Sequence, residues 1–560
     1  MEEREENLQK GDREEEMKQT ISESTEAHPL SQLIDEAKER ARGKIIGMVS
    51  RVYPAEYGEE EREVKIEVSF DTYLNSNVLI GSYLGISLLV SKTLMLSRVK
   101  AVARQDILSI SKVPSLLSQE NASGLITPLV ITVELLSEKV NGEVVPPSSP
   151  IDPQSPVFLP SLDFLKEMLG IPEDGVRIGK VMEGYREIEV DVRLSKEALK
   201  HHVLVVGTTG AGKTNLLKVI MKNSETPLIV FDIQGDYVKP AVEIGGSVIV
   251  PVTRDYGTEV VEFINVFLKR SNLTEFRTIE QKDNKFVLSN GKSSFNLYLI
   301  GFRFPENYKL LPDIATYFSA QAGEFFKVIS EKCVNENDII DNWEEYCKDF
   351  MEDMNVHRAT QDNIIRSVYL LSQTGIFDVP YGKGVNKNYY HEPNYTDIMK
   401  SKAVVDLRWA LERGISSATI ASFLIITKIF KIIDDRYKKE GKETEYLMIF
   451  DEAHEYFPQG SREENKEPLE RLINKIMRLG RVRGIGTILA THRPTDLNDL
   501  ILTLANTKIA MRADEDALKR IGMEKYSKVL SVAPPGFGVI SSYTIKVKEL
   551  NFRAEKYRTE

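Results

Sequence analysis

The chain has 560 residues, of which 42% are apolar, with a net charge of −11 and two cysteines. Such a length provides for about three or four domains with packed cores, and the composition excludes disordered, collagenous and disulfide-framework proteins. No run of eighteen apolar residues occurs, and Met1-Glu-Glu-Arg-Glu-Glu lacks an apolar core, so neither a membrane span nor a secretory leader is expected; the chain is read as cytoplasmic.

Residues 1–28 hold ten Asp/Glu against four Lys/Arg, and residues 1–40 are predicted to form an acidic disordered tail. Because much of the negative charge sits there, the total does not argue against a nucleic-acid partner. Residues 41–145 read as a small β-barrel. Val64-Lys-Ile-Glu-Val-Ser-Phe70 alternates apolar and polar side chains, and short strands are predicted at Leu79–Ile80, Ile86–Val90, Val99–Ala103 and Leu129–Leu135. Pro146, Pro147, Pro150, Pro153, Pro156 and Pro160 then mark residues 146–160 as an extended linker.

Residues 161–299 open an α/β domain. A short helix, Leu162–Leu169, precedes an apolar strand, Val203–Val206, which runs into Gly207-Thr-Thr-Gly210-Ala-Gly212-Lys213-Thr214-Asn215 and a helix. This is the G-x-x-x-x-G-K-T phosphate loop in its strand-to-helix setting. The amides of Gly207, Thr208, Thr209, Gly210, Ala211 and Gly212, with Lys213, Thr214 and Asn215 at the helix start, form the candidate nucleotide site: Lys213 for the β- and γ-phosphates, Thr214 for Mg²⁺. Leu228–Asp232 is the next core strand; Asp232 at its end either helps position Mg²⁺ or water, or caps the following loop.

Residues 300–395 carry helical spacing over Ile314–Ser330, Asp338–Met354 and Gln361–Thr374 and read as a helical insertion. Cys333 and Cys347, within it, lack metal spacing and are expected to be free buried thiols. The core resumes over residues 396–545, beginning with a strand at Lys402–Leu407. The segment Ile415–Ile433 is apolar but interrupted by Ser416, Ser417, Thr419 and Lys428, so it is read as a buried core helix.

Tyr446-Leu-Met-Ile-Phe450 reads as a central strand ending in Asp451-Glu452. Adjacent side chains diverge at a strand end, which assigns Asp451 to the Mg²⁺ shell and Glu452 to the attacking water. A further strand ends in Thr491-His492, either of which is placed to sense the γ-phosphate. Ahead of it, Arg478-Leu-Gly-Arg481-Val-Arg483 offers guanidinium groups for transition-state charge. Only 106 residues follow His454, too few for the second motor domain that an Asp-Glu-Ala-His helicase would need.

The phosphate loop, Ile-Phe-Asp-Glu-Ala-His, Arg-Leu-Gly-Arg-Val-Arg-Gly and Leu-Ala-Thr-His-Arg-Pro-Thr together resemble the HerA/FtsK superfamily of ring ATPases, and within it the archaeal HerA family. The resemblance implies a RecA-like core with a helical insertion behind a HAS-barrel-like domain. It also implies a hexameric, ATP- and Mg²⁺-dependent motor on duplex DNA, acting with a NurA-type nuclease in end resection. Within that likeness Lys213 and Thr214 match the Walker A positions and Asp451 and Glu452 the Walker B positions. Arg478 or Arg481 is similar to the arginine finger acting in trans, and residues 546–560 either brace a neighbouring subunit or fray. His492 stands where the family commonly has Gln. Two other readings are a conjugation- or FtsK-type DNA pump and a nucleotide-gated switch or scaffold.

Overall fold

The structure, a computed structural model, describes residues 29–53, 55, 63–104, 129–256, 259–314, 317–381, 388–456 and 467–558. It divides into two units: one runs to Ile171 and takes in Val181–Val190 and Ile545–Lys548, and the other holds the remainder.

The first unit contains a closed antiparallel barrel. Its strands are β1 (Gly43–Val49), β2 (Glu63–Val68), β3 (Tyr83–Ser87), β4 (Leu94–Ala103), β5 (Leu129–Val140), β6 (Glu143–Val145) and β7 (Pro156–Pro160). The order is β2-β1-β7-β3-β4-β5 with β5 returning to β2, and β6 extends the β5 hairpin. Closure leaves those six strands without an open edge. Ile46, Val64, Ile66, Leu84, Ile86, Ile131, Val133 and Val157 fill the interior. Gly85 is required where β3 meets β7, since a Cβ there would lie 2.2 Å from the Phe158 ring.

Several expectations for this unit are corrected. Residues 156–160 are a barrel strand and not linker: Pro156 and Pro160 occupy its ends, where a missing N–H is tolerated, and Val157 and Phe158 between them are fully buried. Leu79 and Ile80 form no strand and are exposed in a turn. Of the tail, residues 1–28 lie outside the described residues, whereas Pro29–Arg40 is a helix that buries Ala37 and sends Arg40 to the Leu88 carbonyl.

The second unit is built on a sheet whose strands are β8 (Val176–Glu183) and β9 (Arg186–Leu194), apart from their Val181–Val190 portion, β10 (Val203–Val206), β11 (Leu228–Asp232), β12 (Ser247–Pro251), β13 (Arg277–Lys282), β14 (Lys285–Ser289), β15 (Ser294–Ile300), then β18 (Lys402–Asp406), β19 (Tyr446–Phe450), β20 (Ile485–Thr491), β21 (Thr507–Ala510), β22 (Phe537–Ser542) and β23 (Leu550–Ala554); a separate two-stranded ribbon comprises β16 (Pro380–Tyr381) and β17 (Asn388–Tyr389). Its order is β13-β14-β15-β12-β18-β11-β19-β20-β10-β21-β22-β23-β8-β9. From β15 to β21 all neighbours are parallel, and β14 and β22 turn antiparallel on either side. The central strands read Val-Leu-Val-Val and Tyr-Leu-Met-Ile-Phe because both faces are covered, and every residue of β10, β11, β19 and β20 is buried. The registers Val206↔Thr491, Phe231↔Phe450 and Asp232↔Asp406 bring the carboxyl ends of these strands level. That alignment is what gathers the site.

Between β15 and β18 lie the helices Ala320–Cys333, Trp343–Asp353 and Arg358–Gln373. Cys333 and Cys347 join the first two through a disulfide, against the expectation of free thiols: they lie 14 residues apart, but helix pairing brings their Cα atoms to 5.3 Å. The helix Ile415–Glu440 is long and apolar enough to cross a membrane, yet 67% of its apolar window is buried in the core. Leu550–Ala554 is β23, paired to β22 within its own chain, so this part of residues 546–560 is not frayed.

His202, at φ 63° just before β10, ties the sheet to the helix Glu467–Arg483. Its Nε2 lies 2.8 Å from the Met477 carbonyl and its Nδ1 accepts the Thr487 amide at 3.1 Å, which specifies the neutral Nε2–H tautomer. Burial pushes its pKa down to about 4. The unfolded chain binds a proton near the ordinary histidine value that the folded chain refuses, so this group's contribution is complete above pH 6.5 and is lost as the pH falls towards 4, by roughly 3 kcal/mol in all. Trp343 and Trp409, the two tryptophans, are both buried in the second unit. Unfolding followed by their fluorescence is therefore predicted to show a smaller loss of stability between pH 7 and pH 5 in His202→Gln than in the native chain.

Candidate functional site

The turn after β10 is held largely by backbone groups, and the Thr208 hydroxyl adds a bond to the Arg512 carbonyl at 3.0 Å. The Gly207 amide donates to the Thr491 carbonyl at 3.2 Å, the Thr208 amide to Arg512 at 2.7 Å, and the Gly536 amide to Ala211 at 2.9 Å. Gly212 has φ +110°, and a Cβ there would lie 3.0 Å from the Gly536 nitrogen. The helix Lys213–Asn223 starts without a side-chain cap, so its first amides remain for an anion. The Lys213 ammonium is folded onto the loop, donating to the Gly207 carbonyl at 2.8 Å and the Thr208 carbonyl at 3.4 Å.

Across from it, β19 ends in a carboxylate only 7% exposed. Asp451 Oδ2 accepts the hydroxyls of Thr214 at 3.0 Å and Tyr237 at 2.7 Å, while Oδ1 accepts the Glu452 amide at 3.0 Å. Burial outweighs these bonds and holds the Asp451 carboxyl above the usual carboxylate range. Glu452 itself sits at φ 51°, a left-handed conformation that a side-chain-bearing residue adopts at a cost of about 1–3 kcal/mol. The turn aims its Oε2 at His492 Nδ1, 2.8 Å away, with His454 Nδ1 at 3.5 Å. Thr491 Oγ1 accepts the Arg493 amide at 2.9 Å and lies 3.2 Å from His454 Nδ1. Burial lowers the His454 pKa, consistent with a neutral ring.

Asp232 resolves as a loop cap. Its carboxylate accepts the amides of Gln234, Gly235, Asp236 and Tyr237 at 2.7–3.3 Å and so folds the segment that delivers the Tyr237 hydroxyl. Burial pushes its pKa up to about 6. Together these elements border a cleft of ≈ 690 Å³ whose walls include Gly212, Lys213, Thr214, Gln234, Glu452 and His492.

The structure thus brings Lys213, Thr214, Asp451, Glu452 and His492 together at the strand ends. Thr209 and Gly210 form the exposed lip of the loop, and Ala211 is its buried inner corner. Asn215 lines the cleft, but its side chain is engaged behind the loop, donating to the Glu555 carbonyl at 2.8 Å and accepting the Tyr557 amide at 2.9 Å. Arg478 and Arg481 do not reach the cleft of their own chain. They stand exposed on the helix Glu467–Arg483 and make no ion pair among the described residues, whereas Arg483 is paired with Asp434 at 2.6 Å. Tyr237, Arg512 and the role of His454 were not foreseen. Tyr237 gave a faint signal in following a strand-end aspartate by five residues; Arg512 meets the loop chiefly through its carbonyl, which side-chain identity does not encode, and its guanidinium also donates to the Thr209 carbonyl at 3.5 Å.

Residues 176–394 match the family model described as the central domain of helicase HerA. The chain is similar to the DNA double-strand break repair helicase HerA of Pyrococcus furiosus, 25% identical over 463 residues that cover 75% of this chain and 77% of the relative. It is also similar to the HerA of Sulfolobus acidocaldarius, at 24% over 69% of this chain and 68% of that one, and to a probable helicase of Methanocaldococcus jannaschii, at 23% over 68% and 69%. Among solved structures, VirB4 of Thermoanaerobacter pseudethanolicus aligns with a TM-score of 0.43 and 12% identity over 69% of this chain and 97% of its own.

The loop geometry yields a prediction. Gly212→Ala must leave φ +110° or press its Cβ against Gly536, and either movement misaligns the amides. Fluorescent-nucleotide titration should show at least tenfold weaker binding, while the tryptophan-monitored unfolding midpoint moves little; unchanged affinity would contradict the assignment of these amides.

Proposed function

We propose, on the premise that this chain is a HerA-like P-loop ATPase, that it couples ATP hydrolysis to movement of duplex DNA. The observation that carries the reading is the convergence of Lys213 and Thr214, after β10, with Asp451 and Glu452, after β19, at two strand ends.

The residues fit the expected chemistry. Thr214 Oγ1 and Asp451 Oδ2 are hard oxygen donors 3.0 Å apart, the set that Mg²⁺ prefers, and they would hold that ion. When bound, Mg²⁺ neutralises charge on the β- and γ-phosphates. Lys213 exchanges its two loop carbonyls for phosphate oxygens, which adds a cation to a cradle of neutral amides. Glu452, held by His492, is the base that orients water and takes its proton; the His492 contact aims the carboxylate and reports on the space where a γ-phosphate lies. Tyr237 fixes the orientation of Asp451.

Hydrolysis also needs a fixed cation near the transferred phosphoryl, and the exposed position of Arg478 and Arg481 suits donation to the site of a neighbouring subunit. With one motor domain per chain, a closed ring, in our reading a hexamer, supplies that neighbour. By likeness to break-repair helicases the substrate is duplex DNA at broken ends, a NurA-type nuclease is the partner, and the cytoplasm, which holds both ATP and chromosome, is the place of action.

Glu452→Gln should retain ATP binding and lose turnover by about 10²–10⁴-fold; undiminished hydrolysis would reject Glu452 as base. Lys213→Ala should weaken binding itself. For the trans arginine, mixtures of Arg478→Ala or Arg481→Ala chains with Glu452→Gln chains should regain part of the activity that each lacks alone, and absence of such rescue would reject a trans role for these arginines. Hydrolysis measured with and without linear duplex DNA, alongside particle mass, separates a motor from a nucleotide-gated switch: DNA should stimulate the motor.

A further inference from the structure

We propose that Glu452, His454 and His492 form a binding site for a zinc-class divalent cation, and that a cation seated there halts ATP hydrolysis by occupying the carboxylate of Glu452. The inhibitory half rests on the function proposed above; the site itself rests on geometry.

One donor atom from each of the three side chains lies within 4.8 Å of the others. Glu452 Oε2 is 2.8 Å from His492 Nδ1 and 3.5 Å from His454 Nδ1. Ligands at about 2.0–2.1 Å from zinc stand about 3.4 Å apart at tetrahedral angles, so small rotations of the two rings suffice to admit the ion. The imidazole planes already meet nearly perpendicular, at 85° with centroids 4.5 Å apart, which keeps the rings from stacking and lets both edges face Glu452.

The surroundings of His454 match those of a ligating histidine. The Thr491 hydroxyl lies 3.2 Å from its Nδ1, and Glu455 Oε1 lies 3.4 Å from the opposite nitrogen, Nε2. A carboxylate facing the distal ring nitrogen is the arrangement that orients metal-bound histidines. Both histidines stand at the ends of regular structure: His454 is buried in a short helical turn after β19, and His492 directly follows β20. Three protein donors leave a coordination position, and Glu452 and His492 both border the cleft, so that position is open to water or an anion.

Donor chemistry separates this site from the Thr214–Asp451 pair beside it. Two imidazoles and one carboxylate favour zinc, nickel, cobalt or copper, whereas a hydroxyl and a carboxylate favour Mg²⁺. A carboxylate shared with such an ion no longer accepts a proton from water, and the catalytic step then lacks its base.

The test uses the full-length, tag-free, nucleotide-free chain after chelator treatment. Calorimetric titration with Zn²⁺ should show one ion per chain with micromolar or tighter affinity, and a large excess of Mg²⁺ should not displace it. His492→Ala, a partly exposed position that tolerates truncation, and Glu452→Ala should each weaken binding at least tenfold, and Co²⁺ should give the visible absorption of low-coordinate nitrogen and oxygen ligation in the native chain alone. No zinc binding at micromolar concentration, or binding unchanged in both variants, would overturn the site. With Mg²⁺ and ATP held constant, rising Zn²⁺ should stop turnover and a chelator should restore it; zinc bound at this site with turnover undiminished would overturn the inhibition. A chain that never hydrolyses ATP contradicts the function proposed above, and the calorimetry still decides the site.

Discussion

The arrangement depends on one buried carboxylate. Asp451 receives a hydroxyl from the helix that follows the phosphate loop, a hydroxyl from the loop after β11, and an amide from the residue beside it. Removing a carboxylate from water is costly unless its lone pairs are satisfied, so each donor is there because the charge demands it. Three chain segments that are far apart in sequence are thereby fixed to one point. The same shortage of positive charge around Asp451 makes the position attractive to a divalent cation. These bonds are also the ones that an ion would exchange for its own.

From that point the constraint spreads through backbone. Asp232 spends its carboxylate on four consecutive amides, and the loop thus formed presents Tyr237. The phosphate loop is clamped by the carbonyls of Thr491 and Arg512 and by the amide of Gly536, groups common to every residue type. Ala554 donates in turn to Gly536, and Asn215 grips Glu555 and Tyr557, so the last strand and the phosphate loop share one hydrogen-bond chain.

How much was legible in the sequence follows from which physics each feature used. The phosphate loop, the Asp451–Glu452 pair and the buried central strands were legible because they rest on local requirements: glycine where φ is positive, apolar residues where both sheet faces are covered. The barrel strand at Pro156–Pro160 was hidden because proline content outweighed the short apolar Val157-Phe158-Leu159 in a purely local reading, although the prolines stand only at strand ends. The Cys333–Cys347 bond was invisible because helix pairing sets it, and spacing does not. Tyr237 could not be placed since its partner lies 214 residues away. The two readings left open for Asp232, metal helper or loop cap, were separable only by seeing where its oxygens point.

His492 shows what a single side chain changes in such a site. A glutamine in its place offers an amide that can donate to Glu452 but is a weak metal ligand; an imidazole donates equally well and is also a strong nitrogen ligand. The neighbouring His454 is held by Thr491, and Glu452 is held in a left-handed turn, so neither donor has to be recruited from elsewhere. Two donor sets therefore stand side by side at the ends of β19 and β20, one made of oxygens and one rich in nitrogen. The pair Asp451-Glu452 is the seam between them: adjacent residues whose side chains diverge, the first towards the phosphate loop and the second towards the histidines. On the function proposed above, a catalytic base on that seam belongs to both sets, and a substrate water and a nitrogen-seeking cation would compete for it.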